Sequence, residues 1–153
     1  MPPRKRSYAN ISALVHATEE EVRVRAAILK ILPAEIGEKS EFSCTRMEGH
    51  YGNPILELKS NTTSKEDADK ILLKILHELS SLDETLLDVE FSNHLDERNW
   101  FYVRLDKQQA FLGCATIAYH DSISLSFHLS SKPKSLGELR HTLETNKENG
   151  EIK

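Results

Sequence analysis

Between Ser64 and Leu79 the apolar residues Ala68, Ile71, Leu72, Ile75, Leu76 and Leu79 fall at i, i+3, i+4, i+7, i+8 and i+11, the spacing of one helical face. A helix so one-sided must bury itself against a second layer. The remaining sequence offers that layer as period-two segments. Tyr8 to His16 sets Ile11, Ala13 and Val15 against Asn10, Ser12 and His16; Ile55 to Ser60 sets Leu56 and Leu58 against Glu57 and Lys59. Trp100 to Leu105 hides Phe101, Val103 and Leu105, and Ile123 to Leu129 turns Ile123, Leu125, Phe127 and Leu129 away from Ser124, Ser126 and His128. Each alternation is that of a half-buried strand.

Other elements follow from local signals. Thr18-Glu19-Glu20-Glu21 reads as a capping box opening a helix to about Leu32, with Val22, Ala26 and Leu29 as its apolar face, Ile28 and Leu32 beside them, and Pro33 closing it. Phe42 to Thr45 and Cys114 to Tyr119 are expected as strands. Val89 to Leu95 is expected to pair with Trp100 to Leu105 as a hairpin across Asp96-Glu97-Arg98-Asn99. Leu82 to Asp88 is open between helix and loop. Asp106 can cap a single turn ending at Gly113. The order lacks regular βαβ alternation, which argues for an α+β class: two main helices on one face of a largely antiparallel sheet.

At 153 residues the chain suits one domain with a real core. The expected organisation is a basic flexible N-terminus over 1–7, a single α+β domain over 8–130 and a polar tail over 131–153. In that tail Ser135 to Leu143 can form a short helix on Leu136, Leu139 and Leu143, with disorder expected beyond Thr145. The net charge of −4 and pI near 6.0 supply no global attraction to nucleic acid or anionic membrane, so such a partner needs a local patch. The basic start MPPRKRSYAN lacks a signal peptide's apolar segment and no apolar run is long enough to span a bilayer, which points to the cytoplasm. Cys44 and Cys114 sit in apolar or alternating runs and are expected as reduced, buried thiols.

Candidate chemistry concentrates in EGHYGNP, Glu48 to Pro54. His50 and Glu48 could ligate a metal, but the other histidines stand at no ligand spacing. No GxGxxG or lysine-bearing phosphate loop is present, no GxSxG elbow holds a serine, and Cys114 has no recognisable partner. No metal, no cofactor and no catalysis are therefore expected. For binding, Arg46, His50, Tyr51 and Asn53 in and beside this loop, and Arg104, Lys107 and Gln108 in RLDKQQAFLG, are the types that meet phosphates, base edges and unpaired bases. They can equally be read as a capped, solvated turn and a strand connection whose glycines supply positive φ.

Three motifs in order, Ala17-Thr18-Glu19, Gly49-His50-Tyr51-Gly52-Asn53-Pro54 and Leu105-Asp106-Lys107-Gln108-Gln109-Ala110-Phe111-Leu112-Gly113, resemble those of a small archaeal family described as RNA-binding proteins and predicted exosome subunits. The similarity covers roughly Ala9 to Leu129. It implies a fold like the ribosomal protein that binds five-S RNA and a non-catalytic, cytoplasmic accessory role in RNA processing or degradation. RNA would be the partner and exosome subunits further candidates, with Arg46, His50, Tyr51, Asn53, Arg104, Lys107 and Gln108 as the contact set. The alternative is a protein-interaction or structural domain, possibly a homodimer, without RNA. If the first reading holds, the EGHYGNP loop and the DKQQAFLG turn should approach each other.

Overall fold

The computed structural model describes residues 7–148. Five strands, β1 (Ala9–Val15), β2 (Ser43–Glu48), β3 (Pro54–Thr62), β4 (Trp100–Asp106) and β5 (Ser122–His128), form one antiparallel sheet in the order β2-β3-β1-β5-β4. Six helices accompany it among the described residues: α1 (Glu21–Ile31), α2 (Ala34–Lys39), α3 (Lys65–Glu78), α4 (Ser81–Val89), α5 (Lys107–Phe111) and α6 (Leu136–Glu148). The α+β arrangement is the expected one, with four helices beyond the two main ones, α1 and α3.

The alternation of the strands decides where the core sits. Ala9, Ile11, Ala13 and Val15 of β1, Leu58 of β3, Phe101, Val103 and Leu105 of β4, and Ile123, Leu125 and Phe127 of β5 are all buried. They join the α3 stripe of Ala68, Ile71, Leu72, Ile75, Leu76 and Leu79 in one apolar cluster. Ser64 caps α3 by accepting from the Asp67 N–H. In α6, Leu136, Leu139 and Leu143 are buried, and Arg140 donates to Glu84 and to the Leu76 carbonyl, each at 2.7 Å. The helix runs through Glu148, past Thr145 where disorder was expected. The segments 1–6 and 149–153 lie outside the described residues. Among the described residues, no helix is long and apolar enough to cross a membrane.

Several local expectations are corrected. α1 buries Val24, Ala27, Ile28 and Ile31, whereas Val22 is 75% exposed and Leu29 lies at the edge. The sequence EVRVRAAILKI carries two interleaved stripes, and packing selects the other one. The capping box is not made, because Glu20 is the N-cap without a side-chain bond and the Glu19 carboxylate instead accepts the His16 N–H at 3.0 Å. Val89 to Leu95 is the end of α4 and a 3-10 turn, and its strand-like pairing with β4 is a lone bridge between Leu95 and Phe101. Cys114 to Tyr119 pairs with the edge of β4 at a single bridge, Leu105 with Ile117, flanked by two backbone hydrogen bonds. Both cysteines are exposed. Cys44 is on an edge strand whose residues all face water, so period-two alternation there does not signal burial.

Candidate nucleic-acid interface

The faces of an antiparallel sheet follow from its register, because directly opposed residues point the same way. One row runs Ser43, Lys59, Ser12, Ser124, Arg104 across all five strands. A neighbouring row runs Asn61, Asn10, Ser126, Tyr102. These residues lie on the side away from the core cluster, and none of them is buried. All buried strand residues project to the helical side, so among the described residues the sheet has one face covered by helices and one open face. Arg104 lies on the open one, exposed, and has no ion pair or side-chain hydrogen bond among the described residues.

Arg46 is different. Its register partner is Leu56, which stands in the row of Val15, so Arg46 projects to the helical side at the exposed edge of the sheet. The two arginines are on opposite faces.

The EGHYGNP stretch is a hairpin connection between β2 and β3. Gly49 N–H donates to the Asn53 carbonyl at 2.7 Å, and His50–Gly52 form a 3-10 turn. Gly52 needs its φ of +75°, and a Cβ on Gly49 would meet Ile55 Cδ1 at 2.4 Å, so both glycines are set by the turn itself. Tyr51 also has a positive φ, 62°, and its side chain is 98% exposed at the tip. Such a conformation is uncommon outside glycine and displays the ring outward. Asn53 is exposed beside it.

α5 begins as expected. Asp106 caps it by accepting from the Gln109 N–H at 2.8 Å, and Gly113 ends it at φ +89°. Gln108 is exposed and borders a groove of about 450 Å³ between α1 and α5 with Thr18, Arg23, Phe111 and Leu112. Phe111 there carries two cations, Arg23 at 4.7 Å and Lys30 at 4.6 Å from its ring centre.

Lys107 is buried, and its ammonium is spent within the protein. It donates to the Leu14 carbonyl, to Glu19 at 3.1 Å and to Asp121 at 2.8 Å. His16 joins Asp121 at 3.1 Å. An ammonium has three protons to donate, so none is left for a phosphate. His16, Glu19 and Asp121 come close enough to hold a metal ion, a grouping that spacing along the chain did not reveal, yet the Lys107 ammonium already donates to both carboxylates. Burial opposes ionisation of Asp121, but the hydrogen bonds from Lys107 and His16 outweigh it and hold its pKa below the usual value.

The loop and the α5 turn occupy the same end of the sheet. Glu48 pairs with Pro54, Val15 with Leu56, and Asp106 with Ser122. They stand at its opposite edges, however. Four strand intervals of about 4.8 Å separate β2 from β4, roughly 19 Å, so the two motifs share an end without forming one pocket.

At the far end of the open face Trp100 stands opposite His128, with ring centres 5.2 Å apart, and Tyr8 meets His128 edge-on at 6.4 Å. Asp96 organises the approach to β4 by accepting from the N–H groups of Trp100 at 2.8 Å and Arg98 at 2.9 Å and from the Tyr102 hydroxyl at 2.9 Å. The Trp100 N–H leads in holding the Asp96 pKa down, while desolvation and the Asp96 carboxylate raise that of Tyr102. The reading by motifs passed over these rings because strand alternation had already accounted for them.

Comparison with known proteins gives the chain its relatives. Residues 8–129 match the model of a protein family described as RNA binding. Uncharacterized protein MJ0213 of Methanocaldococcus jannaschii is 38% identical over 121 residues, covering 77% of this chain and 80% of its own length. RNA-binding protein PAB1135 of Pyrococcus abyssi is 32% identical over 126 residues, covering 82% and 80%. Among solved structures, protein AF2318 of Archaeoglobus fulgidus superposes with a TM-score of 0.69 at 28% identity over 93% of this chain and 97% of its own. SSO0741 of Sulfolobus solfataricus, at 20% identity, a TM-score of 0.69 and coverage of 93% and 98%, shares the fold. Both are described as DUF54 proteins.

Proposed function

The chain belongs to the RNA-binding family, and from that membership we propose that it is a non-catalytic, cytoplasmic RNA-binding protein, an accessory factor of RNA processing or degradation that works with the exosome. One observation supports this position for the RNA: among the described residues no helix covers the sheet face lined by Asn10, Ser12, Ser124 and Ser126, and Arg104 stands on it without an ion pair. Arginine forks a phosphate, and the hydroxyls and amides around it can bond sugar or base edges. Arg46, Tyr51 and Asn53 line the edge of the same end, with the backbone of His50 in their turn, and Gln108 the other. Lys107 takes a positioning role, tying α5 to β1 and to the loop before β5.

The test is RNA binding measured against salt. Arg104→Ala should weaken binding and reduce the salt slope by roughly one counterion. Lys70→Ala, on α3 behind the sheet, should change neither. Equal losses in the two variants would mean diffuse charge instead of a site.

A second reading, a protein-interaction domain that closes as a homodimer, has the β2 edge in its favour. All six residues of Ser43–Glu48 are exposed, and an unpaired strand edge can add another strand. Light scattering separates the two: a dimer that persists without RNA, together with no RNA affinity at about 50–100 mM salt, favours this second reading.

A further inference from the structure

Resting on the RNA reading above, we infer that the open face takes single-stranded RNA, with unpaired bases stacked on its aromatic end at Trp100 and Tyr102.

Three observations lead there. Trp100 is the chain's single tryptophan, and β4 turns it and Tyr102 to the side that no described helix covers, while Phe101 and Val103 between and beyond them are buried. Tyr102 is 45% exposed. Large rings placed on a polar sheet face without a covering layer gain their stabilisation from a ligand rather than from the core.

The rings are also fixed in advance. Asp96 accepts from the Tyr102 hydroxyl and from the backbone N–H of Trp100, Asn99 turns the chain at φ 67°, and the His128 ring abuts that of Trp100 edge-on. Rings held before binding lose little freedom on stacking, which raises affinity.

Charge then selects the form of RNA. Along β4 the outward sequence is Trp100, Tyr102, Arg104, so rings and guanidinium succeed each other about 7 Å apart. Among the described residues the other cation on this face, Lys59, is already paired with Glu57 at 3.4 Å. A duplex is recognised through an array of phosphates and 2′-hydroxyls, for which the one unpaired guanidinium among the described residues of this face is a poor match. An unpaired strand offers ring faces, and stacking needs no charge. A chain with net charge −4 is thereby suited to bases more than to backbones.

The experiment uses the full chain with a ten-nucleotide oligoadenylate and a fully paired RNA duplex of ten base pairs as probes, both end-labelled for anisotropy. Quenching of the single tryptophan gives a second readout. The single strand should bind at least tenfold tighter than the duplex, quench Trp100, and show a salt slope of about one or two counterions. Tyr102→Ala, at an exposed position, should weaken single-strand binding about tenfold and leave duplex binding alone; Trp100→Phe should retain most of the single-strand affinity, and Trp100→Ala should lose it. Far-ultraviolet circular dichroism verifies that each variant is folded. Duplex binding as tight as single-strand binding, with Tyr102→Ala and Trp100→Ala inert, overturns the inference while leaving RNA binding standing. No binding of either probe removes both.

Discussion

The two faces of this sheet are built from the same strands and do opposite things. Phe101 and Tyr102 are neighbours in β4, yet Phe101 is buried against Phe91, with ring centres 5.4 Å apart, whereas Tyr102 stands in the open with its hydroxyl on Asp96. In β1, Ile11 and Ser12 divide the same way. A period of two residues lets one stretch of chain hold the fold with one set of side chains and present a surface with the other. Substitutions should therefore change stability on one side and binding on the other.

The largest contrast is between those two neighbours. Phe101→Ala should cost about 3–5 kcal/mol, from lost burial and the cavity left behind, while Tyr102→Ala should cost about 1 kcal/mol for its hydrogen bond. Equal shifts in the urea midpoint would break the comparison. In the layer over the covered face, Leu72→Ala or Ile75→Ala should cost about 2–5 kcal/mol; an unchanged midpoint would mean that α3 does not pack as described.

Lys107 sharpens the comparison because it is a charged residue on the structural side of the division. Lys107→Met keeps the aliphatic stem but removes the ammonium from the Leu14 carbonyl, Glu19 and Asp121, leaving the two carboxylates, among the described residues, only their bonds with His16. A loss of about 2 kcal/mol is expected, since hydrogen bonds to a charged group are being removed while both carboxylates remain reachable by water. RNA affinity and its salt slope should not move. A changed slope with unchanged stability would return Lys107 to the binding surface.

Acid should probe the same cage. The folded pKa of Asp121 lies below its ordinary value of 3.8, so ionised Asp121 favours the folded state. That contribution is complete above the ordinary value and disappears as pH falls through the folded one. Stability should hold steady from pH 7 to about 5 and decline below about 4, and Asp121→Asn should make the decline shallower in acid titrations followed by circular dichroism. An identical decline in the variant would place the acid sensitivity elsewhere. The smallest effect is expected for Ser124→Ala, in the middle of the open face, within about 0.5 kcal/mol in denaturant. A larger loss would show that this face is structurally loaded.

Much of this was legible along the chain because it rests on short-range periodicity. The α3 stripe, the alternations of β1, β3, β4 and β5, the Asp106 cap and the turn glycines each depend on residues within a few positions of one another. Where a segment was compatible with two local structures the reading failed. EVRVRAAILKI has apolar residues for two faces, and Val89 to Leu95 satisfies a strand pattern while the backbone completes α4 and a 3-10 turn. The cysteines were misplaced because alternation on an edge strand looks the same whether or not anything covers it.

The sequence by itself determined the α+β class, most of the strands and which side chains of each strand stand together, because helical and extended periods are written in neighbouring residues. Only the tertiary structure decided how those sets add up. Strand order and register put Arg46 and Arg104 on opposite faces, kept the EGHYGNP loop and the α5 turn at one end but a sheet's width apart, and enclosed Lys107 with Leu14, Glu19 and Asp121. They also gathered Tyr8, Trp100, Tyr102 and His128 at one end of the face that no described helix covers. Those residues are separated by up to 120 positions in the chain, and proximity over such distances comes from pairing between strands, which no local pattern encodes.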